Sequence, residues 1–304
     1  MEHYNSLNEY LRTKYGKKVY KLSINGGMTC PNRDGTLGEK GCIFCSKGGS
    51  GEFASNASLS ITEQLEQAKK RVESKTKDNA YIAYFQPFSN TYADTEYLRN
   101  MFYEAIEPEY IVGLSVATRP DCLEDDKIKL LEEINGIKPV SVELGLQTIH
   151  EKTAEYIRRG YTLDVYNKAV EELHRANIEV ITHVIIGLPN ESIEMMLETV
   201  RCVGKLTDGI KLQLLHVIEG TDLAEEYAEG KFEVLTLEEY TDVICECIET
   251  LPKNVVIHRI TGDGDKRNLI APMWSADKKR VLNYMNSEFR RRNIVQGSKM
   301  YNIT

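Results

Sequence analysis

Short apolar runs rich in β-branched and aromatic residues alternate with amphipathic helical stretches along most of the chain. The runs lie at residues 19–24, 81–85, 111–117, 140–146, 179–187, 209–218 and 255–260. Helix-start signals sit between them, such as the capping-box pairs Ser60–Glu63 and Thr236–Glu239. Six or so β–α units in series predict a parallel α/β sheet, either a barrel or an open doubly wound sheet. No Gly-x-Gly-x-x-Gly follows the first run, so a dinucleotide-binding Rossmann domain has no support.

The alternation continues without a linker or a low-complexity tract from about residue 18 to residue 260. We therefore predict one barrel-like domain over residues 18–262, with an N-terminal extension over residues 1–17. A basic C-terminal helical extension is predicted over residues 263–304. Its helix runs from about residue 276 to 292, with Ser275 as the capping residue and an apolar stripe between basic side chains.

Charge is distributed unevenly along the chain. The formal net charge is −8, yet residues 266–304 hold nine Lys or Arg and only two Asp or Glu. An acidic chain with a basic C-terminal segment suggests a polyanionic partner. The alternative is that these basic side chains form a solvent-exposed helix face with no binding role. The side chains that are candidates for RNA binding are Lys278, Lys279, Arg280, Arg290, Arg291 and Arg292.

Several classes of protein are disfavoured by composition. No run of about 18 apolar residues occurs, so the sequence predicts no membrane span. The polar N-terminal stretch lacks the apolar segment of a signal peptide, which makes the cytoplasm the expected compartment. Seven cysteines, an odd number, favour metal or cluster binding over a disulfide framework.

Polar side chains interrupt strands that a parallel sheet would normally bury on both faces. Some lie at alternate positions of one strand, so that they point to the same face, and one interrupts an apolar run. They are Ser141, Glu143, Gln147, His183, Lys211 and Gln213. A single residue of this kind is usually a satisfied structural group. Together they predict a polar cavity inside the sheet, near the carboxyl ends of the strands.

The strongest local signal is a glycine-rich loop after the first run, NGGMTCPNRDGTLGEKGCIFCSKGG, at residues 25–49. It places Cys30, Cys42 and Cys45 at the spacing Cys-x11-Cys-x2-Cys, and three thiolates suit a soft metal centre. A structural zinc site uses four ligands, and only one Cys-x-x-Cys pair is present in the loop. Three thiolates can hold three irons of a [4Fe–4S] cluster and leave the fourth iron open for a small molecule. A cluster is the favoured interpretation, with zinc or a chance spacing as alternatives.

These residues resemble the radical S-adenosylmethionine (SAM) superfamily, whose usual motif is Cys-x3-Cys-x-aromatic-Cys. Phe44 occupies the aromatic position, and the longer first gap is similar to the Elp3-like branch. Within that branch, the chain from about residue 4 to 295 resembles the YhcC/YtqA family and, with it, MnmL-type enzymes of tRNA wobble-uridine modification. The stretches that carry the resemblance are KLSINGGMTCPNRDG, CIFCSKGGSGEF, YFQPFSNTYA, VATRPDCL, VELGLQT, IRRGY, HVIIGLP and RITGDGD.

The resemblance implies a partial (β/α)6 TIM-like barrel with a [4Fe–4S] cluster on Cys30, Cys42 and Cys45 at its mouth. SAM would chelate the open iron. One electron, from a donor such as flavodoxin or ferredoxin, would cleave SAM to methionine and a 5′-deoxyadenosyl radical that abstracts hydrogen from the substrate. The residues implied to contact SAM are Phe44, Gln86, Ser89, Glu143, Gln147, Arg159 and Gly187.

These SAM contacts rest on similarity of position. Arg159, in Arg-Arg-Gly-Tyr, is similar to an arginine that pairs with the SAM carboxylate, as a guanidinium fork can; a surface helix arginine is the alternative. Glu143 and Gln147 resemble the ribose-contacting position, and Gly187 lies in a turn similar to one that contacts adenine. Residues 86–89, Gln-Pro-Phe-Ser, replace the usual Gly-Gly-Glu that holds the SAM amine.

Further polar side chains near the predicted strand ends are candidates for contact with substrate or SAM. They are Arg119, His183, Lys211, Gln213, His216 and Arg259. A cationic lumen suits a substrate that bears a carboxylate. Cys122 is a candidate hydrogen-atom donor, although an inert loop cysteine is the commoner case.

The basic C-terminal helix suits a phosphate backbone, and the resemblance implies that the RNA is a tRNA. Our leading hypothesis is that the radical acts on the carboxymethylaminomethyl group at C5 of the wobble uridine and takes it toward aminomethyl, while lumen cations hold the carboxylate. A tRNA methyltransferase would then complete a methylaminomethyl group. The alternatives are a radical SAM enzyme for a small-molecule carboxylate such as a porphyrin precursor, and a non-catalytic iron–sulfur or zinc protein that binds RNA. Methylthiolation or acyl transfer on tRNA is less expected, because relatives with those activities carry additional domains.

Overall fold

Seven parallel strands form one curved sheet in the computed structural model, which describes residues 3–49, 54–76, 78–262 and 266–300. The strands are β1 (Tyr20–Ile24), β2 (Tyr81–Phe85), β3 (Ile111–Thr118), β4 (Val140–Gln147), β5 (Glu179–Ile186), β6 (Gly209–Leu214) and, after the short β7 (Val217–Ile218), β8 (Val256–Arg259). Each of the seven pairs with the next in chain order, as in a barrel, whereas a doubly wound sheet reverses its order at a switch point. β1 and β8 are the edges of the sheet, so the barrel is partial, as predicted.

The α-helices of the described residues lie mainly between consecutive strands. They are α1 (Leu7–Tyr15), α2 (Ile61–Lys70), α3 (Thr95–Ile106), α4 (Asp125–Asn135), α5 (Glu151–Tyr156), α6 (Leu163–Arg175), α7 (Ile193–Gly204), α8 (Asp222–Ala228), α9 (Leu237–Thr250) and α10 (Lys278–Arg291). Both predicted capping boxes are present. Ser60 Oγ accepts from Glu63 N at 3.2 Å, and Thr236 Oγ1 accepts from Glu239 N at 3.1 Å.

The main core lies between the outer face of the sheet and the helices. On β1, Leu22 and Ile24 are buried in this apolar layer, whereas Lys21 reaches Ser115 and Glu143 across the barrel interior. This alternation follows from the period of two along a strand. Side chains at every second position of the strand therefore pack against the helices, and those at the positions between them face the lumen.

Two local predictions were wrong. The run at 209–218 was predicted as one strand, but it divides into β6 and β7, and β7 turns away to pair antiparallel with β9 (Leu269–Ala271). The C-terminal helix was predicted to be capped by Ser275. Instead, Asp277 Oδ1 accepts from Arg280 N at 3.0 Å and caps α10, while Ser275 lies in the short 3₁₀ turn Met273–Ala276.

Both terminal segments pack against the barrel. Ile257 N donates to Asn5 O at 2.8 Å, which ties the start of the chain to β8. Val281, Met285 and Phe289 on α10 are buried in the main core. The division at residues 17 and 262 stays a prediction. Residues 263–265, which open the predicted extension and end the RITGDGD stretch, and the end of CIFCSKGGSGEF lie outside the described residues.

The α-helices of the described residues are at most 14 residues long. None of them is long and apolar enough to cross a membrane.

Candidate active site

The carboxyl ends of the parallel strands open into a cleft, as sheets of this type usually do. The predicted site residues that line it are Cys30, Cys42, Phe44, Cys45, Gln86, Ser89, Arg119, Glu143, Gln147, Arg159, His183, Lys211, Gln213, His216 and Arg259. Gly187 and Cys122 do not belong to this lining. Side chains that are far apart in the sequence thus meet in one place.

The glycine-rich loop carries the three thiols to one side of this cleft. Asn32 Nδ2 donates to Arg158 O at 2.6 Å, which ties the loop to the turn between α5 and α6. Arg33 Nη2 donates to Cys45 O at 2.9 Å and to Ser46 O at 2.7 Å, which closes the loop on itself. The loop has no regular secondary structure, so these side-chain contacts, together with backbone bonds such as Ile43 N to Ile157 O at 3.3 Å, hold the cysteines in position.

The donor set fits an iron–sulfur cluster. Cys30, Cys42 and Cys45 form no disulfide among the described residues and are partly exposed. Burial, reinforced by Cys45, raises the pKa of the Cys42 thiol to about 12, and a bound metal reverses such a shift because it deprotonates the thiol. Over the described part of the chain, no three His, Cys, Asp or Glu side chains are grouped to hold one metal ion. The thiolates of a [4Fe–4S] cluster need no such common point, because each binds a different iron.

Gly160 is the backbone position on which the loop attachment depends. Its φ is +83°, and a Cβ there would lie 2.8 Å from Asn32 Oδ1 and 3.3 Å from Arg119 Nη2. Gly230 offers a matched control, since its φ is +71° and nothing lies within 4 Å of its Cβ position.

We expect Gly160→Ala to be clearly more damaging than Gly230→Ala. Both variants carry left-handed strain of about 1–2 kcal/mol. Only Gly160→Ala also displaces Asn32, and the disrupted buried hydrogen bonds should lower the free energy of unfolding by about 1–3 kcal/mol more. Because Asn32 attaches the cysteine loop, this variant should also bind less iron after reconstitution. Urea unfolding and iron analysis of both variants would measure this. Equal losses in the two variants would show that the Asn32 attachment is unimportant.

Buried polar atoms without a partner lie on the cleft wall that sequence similarity assigned to SAM. Ser89 Oγ and Gln147 Oε1 are buried and have no hydrogen-bond partner. Such atoms are costly unless a ligand or water satisfies them. Phe44 and Gln86 border the same space, whereas Gly187, with φ at +93°, lies next to Leu235 and outside the lining. The wall therefore fits a polar ligand such as SAM.

Two buried arginines of the cleft lie close to one tyrosine ring. The guanidinium carbons of Arg119 and Arg159 lie 5.1 Å and 4.8 Å from the centroid of Tyr161. Arg119 forms a bidentate pair with Asp121 at 2.9 Å and 2.7 Å, and Arg159 Nη2 lies 3.1 Å from Glu151 Oε2. A SAM carboxylate at either arginine would therefore share it with an acid that is already present.

The floor of the cleft is organised by Glu143, whose side chain is 0% exposed. Its two oxygens accept hydrogen bonds from five side chains on five other strands or strand ends of the sheet. The donors are Lys21 Nζ (2.5 Å) and Ser115 Oγ (3.2 Å) to Oε1, and Tyr84 Oη (2.7 Å), His183 Nε2 (2.8 Å) and Lys211 Nζ to Oε2. An ionised carboxylate has about four acceptor sites, so little capacity is left for the predicted contact with a SAM ribose.

The titration of this cluster follows from burial and crowding of positive charge. Burial opposes ionisation of Glu143, but Lys21 and Lys211 outweigh it and hold the pKa of Glu143 well below its ordinary value. Burial lowers the pKa of His183 to about 4, with Lys211 adding to the shift. Burial, with Lys21 and Arg259 nearby, lowers the pKa of Lys211 to about 7. At neutral pH the floor therefore has an ionised Glu143, a neutral His183 and an excess of positive charge.

Sequence reasoning missed several side chains that build the site. Lys21, Tyr84 and Ser115 complete the Glu143 cluster, and Asn32 attaches the cysteine loop. Lys21 was the detectable one, because a lysine inside an apolar strand gives the same signal as Lys211. Tyr84 and Ser115 are ordinary strand residues, so only the tertiary arrangement identifies them.

Two groups of candidates lie outside the cleft lining. Cys122 is buried in the 3₁₀ turn Pro120–Cys122, its backbone oxygen accepts from Thr91 Oγ1 at 2.6 Å, and burial raises the pKa of its thiol to about 12. The structure therefore does not bring this thiol to the cleft as a hydrogen-atom donor. The RNA candidates occupy the first and last turns of α10, with Arg292 just beyond its end.

The fold, the thiol-bearing loop and the polar lumen define a class of enzyme, and comparison with known proteins agrees. The model for the radical SAM superfamily matches residues 29–203, and that for the radical SAM C-terminal domain matches residues 207–291. The chain belongs to the radical SAM superfamily. It is an enzyme of that class, and its cofactors are a [4Fe–4S] cluster and SAM.

Relatives place the chain more closely. YtqA of Bacillus subtilis (strain 168) is 44% identical over 295 residues, covering 97% of this chain and 92% of YtqA, which confirms the family resemblance. The tRNA uridine(34) acetyltransferase of Methanocaldococcus jannaschii is 30% identical over 156 residues, covering 50% of this chain and 28% of that protein. The structure of Methanocaldococcus infernus Elp3 with an N-terminal deletion has a TM-score of 0.67 at 20% identity, covering 89% of this chain and 63% of that chain. The last comparison confirms the TIM-like partial-barrel fold.

Proposed function

We propose that this chain processes the C5 side chain of the tRNA wobble uridine from carboxymethylaminomethyl toward aminomethyl. The observation that carries the proposal is the cationic floor of the cleft. Among the described residues of the lining, Glu143 is the acidic one, and it is already engaged by Lys21. Lys21 and Lys211 both contact this single carboxylate, so the cations at the floor outnumber the acid and would stabilise a carboxylate on the substrate.

The side chains that would hold the cofactors line the same cleft as this floor. When bound, the reduced cluster supplies the electron that cleaves SAM to methionine and a 5′-deoxyadenosyl radical. Cys30, Cys42 and Cys45 would hold the cluster, while Ser89 Oγ and Gln147 Oε1 would bind polar groups of SAM. The curved sheet and the cysteine loop surround much of the cleft, which favours exclusion of water from the reacting groups. A small electron-transfer protein such as a flavodoxin or a ferredoxin would supply the electron.

The choice of tRNA is supported by the relatives and by charge. The M. jannaschii relative acts, by its name, on uridine 34 of tRNA, and uridine 34 is the wobble nucleoside. Its similarity covers half of this chain, so the substrate remains our proposal. The basic residues of 266–304 add positive charge that suits a phosphate backbone. A tRNA methyltransferase would consume the aminomethyl product.

We expect the reconstituted, reduced enzyme with SAM to convert tRNA that carries carboxymethylaminomethyluridine. Nucleoside analysis by mass spectrometry should show loss of this nucleoside with a matching gain of the aminomethyl form. Formation of 5′-deoxyadenosine should rise when the tRNA is added. A tRNA that carries methylaminomethyluridine is the matched control and should stay unchanged, because its substituent has no carboxylate for the floor to hold.

Each alternative predicts a different result in this assay. Turnover of SAM with an unchanged nucleoside, independent of RNA, would favour an enzyme for a small-molecule carboxylate. A fully loaded cluster that produces no 5′-deoxyadenosine would favour a non-catalytic RNA-binding protein. Conversion of both tRNAs at the same rate would remove the assigned role of the cationic floor.

A further inference from the structure

The basic side chains of α10 form two groups at opposite ends of one helix. Lys278, Lys279 and Arg280 lie in its first turn, and Arg290, Arg291 and Arg292 lie at its end. The helix has 14 residues, so the two groups are separated by about 20 Å at 1.5 Å per residue. They cannot be treated as one RNA-binding face.

The first group lies on the mouth side of the barrel. α10 is preceded by β9, which pairs with β7 through Val217 and Ala271. Ile218 of β7 lines the cleft. Ala271 belongs to the same apolar cluster as Ile43, which lies between two of the cluster cysteines. The chain that leads into α10 is therefore fixed beside the predicted iron–sulfur site.

The second group lies at the other end of the barrel, and much of its charge is paired. Just beyond α10, Gln296 Nε2 donates to Val255 O at 2.9 Å, next to the first residue of β8. Arg291 Nη2 lies 2.6 Å from Glu288 Oε2, and Arg292 Nη2 lies 2.6 Å from Asp242 Oδ1. The carboxylates of these pairs reduce the attraction of this end for a polyanion.

Residues 266–280, which we call the mouth-side ribbon, combine positive charge with exposed apolar surface. The ribbon holds five Lys or Arg, and its one acid, Asp277, caps α10. Leu269 and Ala271 face inward and are buried, whereas Ile270 is 40% exposed and Met273 is 63% exposed. Cations that alternate with apolar side chains can contact both the phosphates and the bases of a nucleic acid.

We propose that the mouth-side ribbon docks a structured RNA beside the cleft, with phosphates on its Lys and Arg side chains and unpaired bases against Ile270 and Met273. The proposal rests on the proposed function. Charge complementarity favours RNA, since the chain outside residues 266–304 is strongly acidic and repels a polyanion. The position next to the cleft mouth lets an extruded base reach the floor while the rest of the RNA stays outside.

Two triple variants of one helix test the proposal. Lys278→Ala/Lys279→Ala/Arg280→Ala and Arg290→Ala/Arg291→Ala/Arg292→Ala remove the same positive charge from opposite ends. The probe is tRNA carrying the carboxymethylaminomethyl group, and affinity is measured across a salt series without SAM or reductant. The first triple should weaken binding at least about tenfold near physiological salt and reduce the salt slope by about two to three. The second triple should change affinity by less than about threefold.

A third variant addresses the apolar part of the ribbon. Ile270→Ser/Met273→Ser should weaken tRNA binding severalfold and leave the salt slope unchanged, because no charge is removed. Thermal unfolding of all three variants identifies any loss caused by misfolding. Equal effects of the two triple variants, or an effect of the 290–292 triple alone, would overturn the proposal.

The docking proposal and the proposed function can fail separately. If the ribbon variants lose tRNA affinity while wild-type enzyme leaves the nucleoside unchanged, the docking surface stands and the assigned reaction fails. If the nucleoside is converted and the ribbon variants bind and turn over tRNA like wild type, the reaction stands and the docking surface is wrong.

Discussion

Replacement of Cys42 by serine is expected to abolish formation of 5′-deoxyadenosine, to below about a thousandth of the wild-type rate, because the reaction depends on cofactor chemistry that no side chain supplies. A serine oxygen is a poor substitute for the soft thiolate that an iron–sulfur cluster requires. Cys30→Ser and Cys45→Ser should behave in the same way, since the loop offers three thiols and no substitute ligand is grouped with them in the described residues. Product analysis by mass spectrometry measures the loss.

Cys202→Ser is the matched control for these variants. Cys202 lies on α7, outside the cleft lining, and is partly exposed like the other three. It should keep its iron content and its activity. Iron analysis should show a clear fall only for the three loop variants. A Cys42→Ser protein that retains iron and still forms 5′-deoxyadenosine would show that the cluster is held elsewhere. A wild-type protein that binds one zinc ion and no iron would favour the zinc alternative.

The fold was predictable wherever apolar periodicity was unbroken. The run at 81–85 was predicted residue for residue, since β2 is buried along its whole length and bounded by polar sequence. The run at 209–218 was wrongly predicted as one strand because its apolar pattern continues through Leu215, after the hydrogen-bond ladder of β6 has ended. Apolar pattern reports burial, and burial does not reveal whether a strand continues or turns into a separate ribbon. Residues 217–218 form a separate strand because they pair with β9, which is more than 50 residues further along the chain.

The site was predictable as a set of residues and not as a set of contacts. Parity placed Glu143 and Lys211 in the lumen, and the interrupted apolar run placed His183 there, where the structure has all three. The pairing of Glu143 with Lys21 joins residues 122 positions apart, so it depends on sheet order and register, which a residue pattern does not contain. For α10, composition gave the basic residues and periodicity gave the helix. Only the pairing of β9 with β7 showed which end lies at the mouth.

Replacement of Glu143 by glutamine is expected to lower the free energy of unfolding by about 3–5 kcal/mol, because it leaves buried cations without their counter-ion. Lys21 and Lys211 are 16% and 7% exposed and both contact the Glu143 carboxylate. Glu133→Gln is the matched control, since Glu133 is 46% exposed and lies 2.7 Å from Arg99. An exposed pair of this kind contributes about 1 kcal/mol or less. Urea unfolding at neutral pH compares the two variants.

The change in the free energy of unfolding at acidic pH gives a second measurement of the role of Glu143. Its folded-state pKa is depressed below the ordinary value of 4.5, so its contribution is fully present above that value and is lost as the pH falls through the folded pKa. Glu143→Gln should therefore lose less stability than wild type on acidification below about pH 4.5.

The double variant Glu143→Gln/Lys21→Met separates loss of a counter-ion from loss of packing. It removes one cation together with the carboxylate, so it should recover a substantial part of the stability that Glu143→Gln loses, as replacement of whole buried ion pairs often does. If the double variant is no more stable than Glu143→Gln, the cost lies in packing and hydrogen bonds. If Glu143→Gln costs no more than Glu133→Gln, the floor does not depend on a buried carboxylate, and the positive charge assigned to the cleft loses its structural basis.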